Sequence, residues 1–271
     1  MLQYAYMKIG VFDSGIGGLF TLKAIAKKLP EYDYVYLGDT KRVPYGSRSE
    51  ETIYAFLKEG IDFLFSQDCV LVVVACNTAS TTALRRIQQE YIPVAWPDRN
   101  ALGMLVPLAE ACVPYKNVGI IATVATVASL AYPRECLQRS PKTKLVQVPA
   151  PLLVPLIEQG EKRWIEPILA DYLKKFGKRK LDAIVLGCTH YPIIRSLFKR
   201  LLPQGTAIIA QDTVVPKKLY TYLQNHLEIS ERLSKKRTRR LCVTEITPEI
   251  VSLAKKWFGS KNTIEKVVIE K

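Results

Sequence analysis

The sequence predicts an α/β fold with mostly parallel sheets, arranged as two lobes, and three observations carry that expectation. Strand-like and helix-like segments alternate from end to end, the pattern of helices layered on parallel strands. The strand-like runs are continuously apolar rather than alternating, as expected when helices cover both faces of a sheet. Two of these runs echo each other: LVVVACNTAS at 71–80 and AIVLGCTHYP at 183–192 each end in a cysteine followed by small polar groups.

Taken in order, residues 8–12 (KIGVF) read as a strand and 18–29 as a helix stopped by Pro30. YVYL at 34–37 is the next strand. Ser47 with Glu50 has the spacing of a capping box, opening a helix whose Ile53, Phe56, Leu57, Ile61, Leu64 and Phe65 share one apolar face. LVVVA at 71–75 is a strand followed by a helix over 78–90, then a break marked by Pro93 and Pro97. Further on come a helix near 100–112, a strand at 118–122, a helix from about 126, a strand at 145–148 and a helix over 153–175. A strand at 183–187, a helix over 192–202, a strand at 207–210 and a helix over 214–226 follow, and a strand at 241–244 and a helix over 248–258 end the series. The breaks near 93–100 and 203–216 predict that the middle of the chain forms its own lobe. The division is then 1–98 plus 214–271 for the first lobe and 99–213 for the second. The six residues before Met7 read as an extension that need not be ordered.

Composition narrows the function classes. With 271 residues, 48% hydrophobic and 24% charged, the usage is that of a globular protein able to bury a substantial core. The first residues lack the pattern of a secretory signal, and no apolar run approaches the roughly 20 residues of a membrane span, so a cytoplasmic protein is expected. Six cysteines without a CxxC pair, and only two histidines, give no zinc-site spacing. The net charge of +14 admits a nucleic-acid partner. However, its one dense cluster, KKRTRR at 235–240, accounts for only part of the excess, and no zinc-finger, RRM or KH motif is present. Nucleic acid is therefore not the expected partner; attraction of small anions is a simpler use of the charge.

The chemistry is concentrated at strand ends. IGVFDSGIGG at 9–18 joins a strand to a helix through Asp13, Ser14 and a glycine-rich turn, with a helix N-terminus that can meet an anion. The spacing of Gly15, Gly17 and Gly18 fits neither a dinucleotide fingerprint nor a Walker loop, and a turn capped by Asp13 is the plain alternative. VPYG at 43–46 follows the second strand. Cys76 and Cys188 each stand at the end of a strand, where open α/β sheets bind ligands. Two thiols facing one pocket suit an enzyme that takes a proton from one face of a substrate and returns one to the other.

DSGIGG, VPYG, ACNTAS and GCTHYP, in this order, resemble the glutamate racemase family of cofactor-independent amino-acid racemases, over about Met7 to Phe258. The resemblance implies two pseudo-symmetric three-layer α/β lobes with the active site in the cleft between them. It implies interconversion of L- and D-glutamate for peptidoglycan, without metal or pyridoxal phosphate, by a protein expected to be a homodimer. Cys76 and Cys188 are then the two acid/bases, Asp13 assisting the first and His190 with Glu158 the second. Asp13, Ser14, Tyr45, Gly46, Asn77, Thr78, Thr189 and His190 lie on the family's substrate-binding motifs. Thr123 and Thr126 either join them or simply cap a helix. His190 points to glutamate, because aspartate racemases of the superfamily have a carboxylate at that place. Three stretches depart from the family pattern: AWPDRNALGM at 95–104, Ala150-Pro151 in place of Cys-Pro, and QDTVVP at 211–216 in place of Asp-Ser-Gly. The alternatives are a racemase of aspartate or another acidic amino acid, or a catalytically silent, basic binding protein on the same scaffold.

Overall fold

The computed structural model describes residues 6–177, 180–259 and 263–269. Residues 1–5 of the expected N-terminal extension lie outside the described residues. Ten strands form two sheets, and every strand pairing is parallel. The first sheet has the order β10-β9-β2-β1-β3-β4, from Lys8–Asp13 (β1), Tyr34–Gly38 (β2), Cys69–Val74 (β3), Asn100–Gly103 (β4), Arg239–Val243 (β9) and Ile264–Lys266 (β10). The second has the order β6-β5-β7-β8, from Asn117–Ala122 (β5), Lys144–Pro149 (β6), Ala183–Gly187 (β7) and Ala207–Ala210 (β8). The expected α/β class with parallel sheets is borne out.

The central strands are apolar because they have no wet face. Every residue of β3 (CVLVVV) and of β7 (AIVLG) is buried. Helix Glu50–Ser66 lies over the first sheet with Ile53, Leu57, Ile61 and Leu64 fully buried, each such side chain stabilising the fold by about 1.5–3 kcal/mol. Its cap is not Ser47, which lies in a 3₁₀ turn over Tyr45–Ser47. The cap is Ser49, in extended conformation, whose hydroxyl accepts from Thr52 N at 3.3 Å. Three residues of 3₁₀ turn consume the expected cap, and the extended backbone that a cap requires arrives two residues later.

Three helices differ from expectation. Helix Asn77–Thr82 does not run unbroken to residue 90: the chain departs from helical geometry at Ala83 (φ −120°), and residues 87–91 form a π-helical turn. The helix expected near 100–112 begins only at Leu105, because Asn100–Gly103 pairs with β3 as an edge strand. This strand stands with the first sheet, although the sequence places the lobe boundary between 98 and 99. The helix over 153–175 is two helices, Leu153–Gln159 and Lys162–Lys174, separated by Gly160 at φ +72°, a left-handed position that glycine adopts without strain.

β1, β3, β5 and β7 deliver their carboxyl ends to one region. Asp13 ends β1, Cys76 follows β3 by two residues, Thr123 follows β5 directly and Cys188 follows β7 directly. Among the described residues, no helix is long and apolar enough to cross a membrane.

Candidate active site

A cavity of about 350 Å³ opens between the two sets of strand ends. From the first sheet it is lined by Ser14, Gly15, the 43–47 turn, Cys76, Asn77 and Thr78. From the second it is lined by Thr123, Val124, Cys188, Thr189 and His190, and by the 150–159 segment including Glu158. Val43, Pro44, Val124, Pro151, Val154 and Pro155 give it an apolar wall, and among the described residues no Lys or Arg lines it.

The two thiols are both nearly sealed, at 4% and 6% exposure for Cys76 and Cys188. Cys76 is the N-cap of helix Asn77–Thr82. Its Sγ accepts from Ala79 N at 3.4 Å and lies 3.4 Å from Ser14 Oγ. Burial, reinforced by the charge of Asp13, pushes the Cys76 thiol up to about 12, against the smaller help of the Ala79 amide and Ser14. It is therefore protonated at neutral pH in the empty site. Cys188 Sγ lies 3.8 Å from His190 Nδ1, and His190 Nε2 lies 2.8 Å from Glu158 Oε1. Burial disfavours the charged imidazole, but its bonds to Cys188 and Glu158 win and raise His190 to about 10. The Cys188 side thus carries an imidazolium 3.8 Å from its sulfur.

Asp13 is fully buried and does not line the cavity. Its Oδ2 accepts from Gly15 N at 3.3 Å and Gly18 N at 2.9 Å, so it caps the glycine-rich turn, while its Oδ1 has no partner. Burial raises its pKa, with the His190 charge opposing. Tyr36, which the sequence did not single out, braces the same turn by donating to Gly15 O at 2.7 Å. Gly17 sits where no side chain fits: a Cβ there would lie 2.5 Å from Thr189 Oγ1 and 2.6 Å from His190 Nδ1. The glycine-rich turn is therefore where the first sheet's loop touches the second sheet's catalytic candidates.

The remaining expected residues divide into cavity-facing and supporting positions. Ser14, Tyr45, Gly46, Asn77, Thr78, Thr123 and Thr189 line the cavity; Thr126 does not. Thr123 is the N-cap of helix Val124–Ala128, accepting from Thr126 N at 3.3 Å, and its hydroxyl lies 2.9 Å from that of Thr78 across the cleft. It both caps and lines. Thr126 is buried behind it. The Tyr45 hydroxyl is engaged by Asp39 Oδ2 at 2.5 Å, and its ring packs against Phe12 and Phe56. Asp39 is held in turn by Arg42 at 2.7 Å and Thr244 at 3.0 Å. Asp39, Tyr132 and Gln211 support the site without any local motif. Only the departure of 211–216 from the family pattern marked one of them. Among the described residues, no cluster of His, Cys, Asp or Glu could hold a metal ion.

Two buried sulfurs, one from each sheet's strand ends, line one small cavity with an imidazole beside one of them, the arrangement a two-base proton transfer needs. The family described as Asp/Glu/Hydantoin racemase matches residues 21–214. A glutamate racemase of Aquifex aeolicus is 41% identical over 81% of this chain and 84% of its own, and one of Paracoccus denitrificans is 36% identical over 82% and 87%. The crystal structure of a glutamate racemase from Francisella tularensis in complex with D-glutamate superposes with a TM-score of 0.88 at 30% identity, covering 98% of this chain and 99% of that one. The chain belongs to the Asp/Glu/Hydantoin racemase family and is an amino-acid racemase.

Proposed function

We propose that this chain interconverts L- and D-glutamate by proton transfer at the α-carbon, supplying D-glutamate for peptidoglycan in the cytoplasm. The observation that carries the reading is the pair of buried thiols, Cys76 and Cys188, lining one cavity from opposite sheets. One sulfur, as thiolate, takes the α-proton. The other, as thiol, gives a proton to the opposite face of the carbanion, and the roles exchange for the reverse reaction. At rest Cys76 is the acid, held neutral by burial and Asp13. In that direction Cys188, with His190 Nδ1 3.8 Å from its sulfur, is the base. For the other enantiomer Cys76 must ionise, and the substrate's own ammonium group supplies the cation that favours this. His190 and Glu158 store and return the proton on the Cys188 side; Asp13 acts on Cys76 through the glycine-rich turn rather than on substrate.

With no lysine or arginine among the described lining residues, substrate carboxylates are held mainly by the hydroxyls of Ser14, Thr78, Thr123 and Thr189, the Asn77 amide and the backbone N–H groups at helix starts, with the His190 ring beside them. The apolar wall from Val43, Pro44, Val154 and Pro155 packs against the side-chain methylenes. Glutamate over aspartate is supported by the glutamate racemases among the relatives and by an imidazole, not a carboxylate, at position 190. Two lobes, divided as 1–98 with 214–271 and 99–213 except that strand Asn100–Gly103 stands in the first sheet, and a homodimeric state belong to the same proposal.

The test is α-proton exchange. Proton NMR of L-glutamate with the protein in D2O, alongside L-aspartate, and optical rotation of the same samples, should show the glutamate α-signal vanish as rotation decays. Cys76→Ala and Cys188→Ala should each lower racemisation by several orders of magnitude, since neither thiol can turn over alone (a positioned acid or base is worth roughly 10²–10⁴-fold). Exchange of aspartate instead would move the substrate; exchange of neither would overturn the reading.

A further inference from the structure

Asn77 lines the cavity beside Cys76, yet its carboxamide is gripped from outside it. Gln211, fully buried at the start of helix Gln211–Asn225, accepts a hydrogen bond from Asn77 Nδ2. Its own Nε2 donates to Thr21 Oγ1 and, at 3.3 Å, to the carbonyl of Ala75. On the far side, Asn77 Oδ1 accepts from the Tyr132 hydroxyl at 3.1 Å.

This chain of amides has a direction. A carboxamide turned end for end keeps its shape, so its orientation must come from a partner with only one role. The Ala75 carbonyl is such a partner, because it can only accept. It draws Gln211 Nε2 to itself and leaves Oε1 toward Asn77. That oxygen in turn only accepts, so it draws Asn77 Nδ2 and leaves Asn77 Oδ1 to Tyr132. Gln211 takes one of the two Nδ2 hydrogens. Among the described residues the second has no protein acceptor, and Asn77 lines the cavity.

We infer that Gln211 is a positioning residue: it sets the orientation of Asn77 so that an N–H, not a carbonyl, is offered to a substrate carboxylate. The inference rests on the racemase reading for its substrate but not for its geometry. It also gives a role to the 211–216 stretch, where Gln211 stands within the departure from the family's usual Asp-Ser-Gly. A carboxylate meeting a carbonyl in place of an N–H would lose a charge-assisted bond and meet repulsion.

The experiment compares wild type, Gln211→Met, Tyr132→Phe, Asn77→Ala and the two double variants with Asn77→Ala. KM and kcat for L-glutamate come from circular dichroism, and Tm is measured for each. Gln211→Met should raise KM about tenfold or more, the scale of one lost hydrogen bond to a charged group, and Tyr132→Phe should raise it in the same sense. Neither should raise KM further once Asn77 is alanine. KM rises that persist undiminished in the Asn77→Ala background, or a lowered Tm with KM unchanged, would assign Gln211 to the fold alone and overturn the inference. Tyr132→Phe, which keeps its ring, carries the same test if Gln211→Met does not fold.

A second reading needs no turnover. In ¹⁵N-labelled protein the Asn77 carboxamide protons, identified by their loss in Asn77→Ala, should give two separate signals, one of them protected from exchange. Both Gln211→Met and Tyr132→Phe should diminish that protection. Retained protection in both would overturn the orienting role even if the wild type acted on another amino acid. A wild type silent on glutamate with protection lost in the variants would overturn the substrate assignment instead.

Discussion

His190 is a residue whose environment takes it far from its chemistry in water. Burial alone would keep its ring neutral, but Glu158 at 2.8 Å and Cys188 at 3.8 Å hold a proton on it up to about 10. The sign of the linked stability follows. A group whose pKa is raised in the native state binds its proton more tightly there than in the unfolded chain. Its contribution is thus complete below the unfolded value near 6.5 and is lost as pH rises to about 10. Urea unfolding at intervals from pH 6.5 to 10 should show stability declining with pH, and His190→Asn should flatten that decline. A stability that climbs across this window would contradict the imidazolium. At this scale the sequence was largely legible. Cys76, Cys188 and His190 stand in short motifs directly after buried strands, so that motif and strand together specify where they end. The partners of those residues were less so: Gln211 and Tyr132 reach Asn77 from 134 and 55 positions away in the chain, and no local pattern records such a meeting.

Among the elements, the glycine-rich turn has little tolerance for added bulk. Gly17→Ala would place a methyl group 2.5 Å from Thr189 Oγ1 and 2.6 Å from His190 Nδ1, and close packing leaves no room to absorb it. We expect kcat/KM to fall at least about tenfold, because displacements near 1 Å in a catalytic array cost on the order of 10²-fold, with a modest drop in Tm. Steady-state kinetics and a thermal melt check it; unaltered kinetics would mean the two sides are not in contact in solution. Element identities were mostly readable where strands are long and apolar. β4 was not, because Leu102, Leu105, Leu108 and Cys112 continue a helical spacing through a four-residue edge strand. β10 was missed for the same reason of size: Ile264–Lys266 is too short to show a period. The cap at Ser49 was misplaced by two residues because the 3₁₀ turn before it leaves no trace in composition.

Over the whole molecule, the +14 charge invites a nucleic-acid reading, and the fold answers part of it. Of the 235–240 cluster, Arg239 is bound to the carbonyls of Tyr32 and Pro30, Arg240 pairs with Glu265, and Lys235 lies over the Tyr32 ring. Arg239 and Arg240 thus fasten β9 to its neighbours, while Lys235, Lys236 and Arg237 remain exposed. Replacing Lys235, Lys236 and Arg237 together by glutamine should leave kcat/KM unchanged, and the wild type should not shift duplex DNA at about 50 mM salt, where phosphate contacts are strongest. A salt-sensitive shift abolished by that triple change would establish a second activity.

The lining without lysine or arginine has a consequence for traffic through the site. A molecule with a large positive excess draws a dicarboxylate in from a distance, and that pull weakens as salt shortens its range. Once inside, on the proposed reading, the guest would meet buried hydroxyls, amides and the His190 ring, which ions in the bulk scarcely touch. Salt would then slow arrival far more than it loosens retention.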